Sequence, residues 1–126
     1  MTLSYTIDKI NRLVFTTATG FVTLDQALEL RQQLLNDPEF NPDYSQLIDL
    51  TGVTGWDLTA NQIRLVAEGS AFSFRARRAL VGDNPLVFGL ARMYEIVRGL
   101  RGDQYIRVFH TCAEALAWIR EESKAA

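Results

Sequence analysis

Ser45-Gln-Leu-Ile-Asp-Leu-Thr-Gly-Val-Thr-Gly-Trp-Asp-Leu-Thr-Ala-Asn-Gln62 is the stretch whose reading decides the fold. It holds a short apolar run, Ser45 to Leu50, and then Thr59-Ala-Asn-Gln62, in which a threonine and a glutamine three places later satisfy each other's backbone N–H groups. Such a pattern specifies a strand followed by a capped helix. The same chemistry recurs on both sides of it. Thr23-Leu-Asp-Gln26 follows the alternating Arg12 to Thr19, and Leu24, Ala27, Leu28, Leu30, Leu34 and Leu35 then recur at helical spacing until Asp37-Pro38 ends the run. Thr111-Cys-Ala-Glu114 follows the short run Tyr105 to Phe109. Between them Arg78 to Gly82 reads as a buried strand, and Asp83-Asn-Pro85 starts a helix with proline where no N–H is missed. Alternation in Leu3 to Asp8, with Lys9-Ile-Asn11 as the turn, adds an opening hairpin, so the element order is ββαβαβαβα. Strands separated by helices pair in parallel through crossovers, which predicts an α/β fold with a mixed, mostly parallel sheet, an antiparallel edge strand and flanking helices.

Composition narrows the class. At 126 residues, with 48% hydrophobic and 22% charged side chains, residues 1–126 are expected to form a single domain around one core. No apolar run approaches the roughly 18 residues of a membrane span. The opening Met1-Thr-Leu-Ser-Tyr-Thr-Ile-Asp8 lacks the layout of a signal peptide, and a cytoplasmic location is expected. The lone Cys112 leaves no intramolecular disulfide and no cysteine-built zinc site.

A net charge of −2 argues against a general nucleic-acid binder, yet the charge is uneven. Residues 1–63 carry three basic and eight acidic side chains, whereas residues 64–107 carry eight arginines against four acids. Arg75, Arg77 and Arg78 read either as an anion or lipid-headgroup patch or as the solvated ends of a helix and a strand; without interleaved aromatics the second reading leads. The helix from Pro85 to Gly99 is apolar almost all round. Leu86, Leu90, Met93, Val97 and Leu100 form one stripe, and Phe88 and Ile96 flank Arg92 on the face that should be wet. Either neighbouring segments bury that face, or a homodimer, an apolar ligand or a membrane surface covers it.

Catalytic patterns are weak. His110, Cys112 and Glu114 are the local candidates for nucleophile, base and orienting acid, with the helix dipole acting to lower the Cys112 pKa. Glu114 already has a capping role, however, and a cysteine between small residues usually packs. Asp49 and Asp57 flank what reads as a loop after the third strand, at the sheet edge where ligands bind, but they have no nearby histidine or lysine. No phosphate-binding glycine fingerprint and no metal-ligand spacing occur, so neither a cofactor nor a metal is expected and the chain reads as a non-enzyme.

The segment Leu47 to Ala60 resembles the heart of the STAS domain of anti-sigma-factor antagonists, and Thr17 to Leu34, with Gly20, Leu24 and Ala27, resembles that family's strand, glycine turn and first helix. Phe88-Gly-Leu-Ala-Arg-Met-Tyr94 and Val108-Phe-His-Thr-Cys-Ala-Glu-Ala-Leu-Ala-Trp118 are similar to the SpoIIAA-like, STAS/SEC14-related bacterial proteins of unassigned function. In the antagonists a phosphorylated serine directly follows the aspartate. Here that position is Leu58, which accepts no phosphate; Thr59 comes next, and Ala60 replaces the glycine.

Two functions follow from the resemblance. The first is a cytoplasmic binding domain for a small apolar or lipid-like ligand, or one in peripheral contact with a membrane. In that reading Phe72 and Phe74 gate a cleft, Arg75 and Arg78 stand at its mouth, and Phe88, Arg92, Met93 and Tyr94 face it. The second is a regulatory module that exchanges protein partners through a switch loop containing Asp49, Asp57, Leu58 and Thr59.

Overall fold

The computed structural model describes residues 3–57 and 59–125, with side chains to residue 121. Its elements are β1 (Leu3–Asp8), β2 (Leu13–Thr23), α1 (Leu24–Asn36), β3 (Ser45–Asp57), α2 (Ala60–Glu68), β4 (Arg78–Val81), α3 (Pro85–Leu100), β5 (Ile106–Phe109) and α4 (Cys112–Ala125). The five strands lie in the order β1-β2-β3-β4-β5, with β1 antiparallel to β2 and every other pair parallel. This is the mixed sheet with an antiparallel edge that the element order predicts.

The helix starts follow their local chemistry. The Thr23 hydroxyl accepts from the Gln26 N–H and the Gln26 side chain accepts from the Thr23 N–H; Thr59 and Gln62 repeat the arrangement at α2. At α3, Asn84 accepts from the Val87 N–H at 2.9 Å, ahead of Pro85. The Thr111 box is only half formed: its hydroxyl accepts from the Glu114 N–H but donates to the Glu114 carboxylate, which therefore turns away from the backbone.

Three expectations need correction. First, β2 runs on to Thr23 and β3 to Asp57, so residues 51–57, expected as a loop, are strand. The extension was hidden because β3 carries extra residues. Thr17 pairs with Asp49 but Thr19 with Gly52, and Gly20 with Val53 but Phe21 with Gly55, so each register shift breaks the two-residue alternation. Gly52 is required there, since a Cβ would lie 2.9 Å from Thr19 Cγ2 and 3.3 Å from the Ala18 carbonyl oxygen.

Second, the buried face of α3 is Val87, Ala91 and Arg98, with Tyr94 half-buried. Leu86 and Leu100 of the expected stripe are exposed, as is Ile96, while Phe88 is half-buried. The small Ala91 and the paired Arg98 carry the contact face, so a wheel weighted by hydrophobicity points the wrong way. Third, Arg78 is buried and not a solvated strand end.

The sheet has two differently covered faces. On one, Leu47, Ala79 and Val81 pack against Ala115, Trp118 and Ile119 of α4. The other carries α1 over β1 and β2 and α3 over β3 to β5, whereas α2 packs chiefly on these two helices rather than on the strands.

Candidate functional site

The face beneath α2 is not filled. A cavity of about 170 Å³ lies there, floored by sheet residues such as Ala18, Ile48 and Leu80 and walled by Leu30 of α1, Val66 of α2 and Leu90 of α3. Small side chains at Ala18, Ala27 and Ala91 leave the space that larger ones would occupy, and α2 bridges over it. Interiors pack to crystal-like density with few voids larger than a water molecule, so a space of this size is a distinctive feature of the molecule.

One end of the cavity is polar. Gln46 and Arg78 are register partners on β3 and β4, and both point to this face. Gln46 Nε2 donates to Thr16 Oγ1 at 3.0 Å, and Arg78 Nε donates to Gln46 Oε1 at 3.0 Å. The guanidinium also donates to Tyr94 Oη at 2.9 Å and to Ser70 Oγ at 3.3 Å. Phe72 and Tyr94 lie 4.9 and 5.4 Å from it as π partners. Asp103 Oδ2 is 3.7 Å from Arg78, but its closer partner is Arg98 at 2.8 Å, and Arg98 also donates to the Ala67 carbonyl. Burial works against the Arg98 charge; the bond and charge of Asp103 outweigh it and raise the Arg98 pKa above its ordinary value. Two buried guanidiniums therefore share one buried carboxylate.

Of the residues expected to form a cleft, the structure brings Phe72, Arg78 and Tyr94 together at the cavity. The other five lie elsewhere. Phe74 is exposed beside Gly102 and Arg75 is exposed; Arg92 pairs in solvent with Glu95 at 2.6 Å; Met93 is largely outside; and Phe88 stacks on the His110 ring, centroids 4.4 Å apart. Sequence reading missed Thr16, Gln46, Ser70, Arg98 and Asp103. The one available signal was Gln46, a polar side chain inside an apolar strand run.

The expected switch residues do not share a loop. Asp49 lies within β3, where it accepts from the Thr51 N–H at 2.9 Å and hydroxyl at 2.6 Å. Asp57 is paired with Thr23 across the sheet, Leu58 lies outside the described residues, and the Thr59 hydroxyl caps α2. Around Cys112, burial first, then the charge and hydrogen bond of Asp49, push the thiol pKa up, which is opposite to the expected pull of the helix dipole. Among the described residues no three His, Cys, Asp or Glu side chains cluster as a metal site, and no helix is long and apolar enough to cross a membrane.

No family profile and no curated protein matches the chain. Its structure is similar to that of an uncharacterised protein of the DUF3478 family from Shewanella loihica PV-4, described as having a SpoIIAA-like fold, with a TM-score of 0.57 and 22% identity over 93% of this chain and 91% of that one. Element order, sheet topology and this likeness agree that the chain has the SpoIIAA-like fold.

Proposed function

We propose that the chain is a binding domain without catalysis that encloses a small, largely apolar ligand between its sheet and α1 to α3. The observation that carries this reading is the cavity of about 170 Å³ beneath α2. Apolar side chains line most of this space, so an apolar ligand that fills it gains burial and packing contacts there.

Amide NMR titration with toluene, a neutral probe of suitable size, tests the reading. Shifts are expected to centre on Leu30, Ile48, Val66 and Leu90, and Ala27→Leu, which grows into the space from α1, is expected to weaken them. An absence of shifts, or shifts confined to the outer faces of the helices, overturns the proposal.

A further inference from the structure

We infer that the natural occupant of the cavity is a monocarboxylate with an apolar body of about six carbons, its acid group received by Arg78; this rests on the binding function proposed above. Size comes from the cavity, since a space of about 150 Å³ takes one benzene molecule, and about 170 Å³ is available here. A two-chain lipid exceeds it.

Charge comes from the lining. Its charged side chains are Arg31 and Arg78, and among the described residues no Asp, Glu, Lys or His lines the space. Arg31 reaches across from α1 and donates to the Val66 carbonyl, which anchors it at the wall. Arg78 is 5% exposed, and its nearest carboxylate, Asp103, is bound more closely to Arg98. The buried set of Arg78, Arg98 and Asp103 thus carries one positive charge in excess. A buried charge that lacks a full partner is costly, and an anion arriving from the cavity side supplies that partner.

The guanidinium is also held in place for this task. Gln46, Ser70 and Tyr94 take one bond each from Nε, Nη1 and Nη2, which leaves donor capacity on the two terminal nitrogens. The Phe72 and Tyr94 rings lie against it. Orientation is therefore settled before a ligand enters, so little side-chain entropy is lost on binding.

Hexanoate and hexanol share a chain and differ in charge, and their titration into the wild-type protein near neutral pH by amide NMR tests the inference. Hexanoate is expected to bind at the cavity about tenfold tighter than hexanol or better, as a charge-assisted bond at a largely apolar site allows. Arg78→Met is expected to remove that preference, and Arg78→Lys to retain part of it. Equal or tighter binding of hexanol by the wild type overturns the anion assignment and leaves the apolar cavity function standing. A preference that survives Arg78→Met also overturns it. If neither compound moves cavity resonances, both readings fall together. The wild-type comparison decides the matter even where Arg78→Met fails to fold.

Discussion

Arg77 and Arg78 are adjacent in sequence and do opposite things, because strand alternation sends their side chains to opposite faces of the sheet. Arg78 turns toward the cavity; Arg77 turns toward α4, where it donates to the Trp118 carbonyl at 3.0 Å and lies 4.5 Å from the Trp118 ring. A reader of the sequence sees one basic cluster, and half of its meaning lies in parity that becomes visible only once β4 is placed. Thr16 was harder still, since it is linked to Arg78 only through Gln46, across strands distant in the chain. Cys112 shows the same limit from another side: the helix start was legible, but the neighbouring Asp49 was not. Its thiol, raised by burial and by Asp49, is expected to react with iodoacetamide near neutral pH more slowly than a free thiol. Asp49→Asn is expected to speed the reaction only in part, because burial is the larger cause. Faster-than-free alkylation of the wild type would contradict this account.

At the scale of elements, what was legible is what local chemistry decides. Capping boxes at Thr23 and Thr59 act within four residues, and both formed as read. The length of β3 was not legible, because Gly52 and Gly55 interrupt the strand-forming Thr51, Val53, Thr54 and Trp56, and the pairing with β2 passes through two register shifts that break the alternation. The cap of α2 matters beyond its own turn, since this helix roofs the cavity with few strand contacts of its own. Thr23→Ala and Thr59→Ala are each expected to lower unfolding free energy by about 1 kcal/mol in urea titrations. Thr59→Asp, which keeps an N-cap acceptor and adds a charge favourable to the dipole, is expected to stay within roughly 0.5 kcal/mol of wild type. A Thr59→Asp loss as large as that of Thr59→Ala would show that the hydroxyl serves something other than the cap.

At the antiparallel edge of the whole molecule, a hydrogen bond between the first strand and the end of the first helix makes stability depend on pH at both extremes. Tyr5 Oη donates to Asp37 Oδ2 at 2.7 Å. Burial, then the hydrogen bond and charge of Asp37, raise the tyrosine pKa from 10.0 to about 12. The Asp37 pKa is lowered, first by the Glu39 N–H and then by Tyr5, and that of Asp8 is lowered by Asn11. The signs run opposite ways. A raised tyrosine pKa favours folding in full below pH 10 and loses that contribution as pH climbs toward about 12. Lowered carboxylate pKa values favour folding above the ordinary aspartate range and lose their contribution as pH falls through it. Ultraviolet titration of the folded protein is expected to show Tyr5 ionising near pH 12. Asp37→Asn is expected to move it down without reaching 10, because burial remains. Tyr5→Phe is expected to flatten the alkaline fall in the urea midpoint and to leave most of the acid fall, since the Glu39 bond is the larger cause at Asp37. A Tyr5 that titrates near 10, or an alkaline fall unchanged in Tyr5→Phe, would mean that the Tyr5–Asp37 bond does not join the edge strand to α1 in solution.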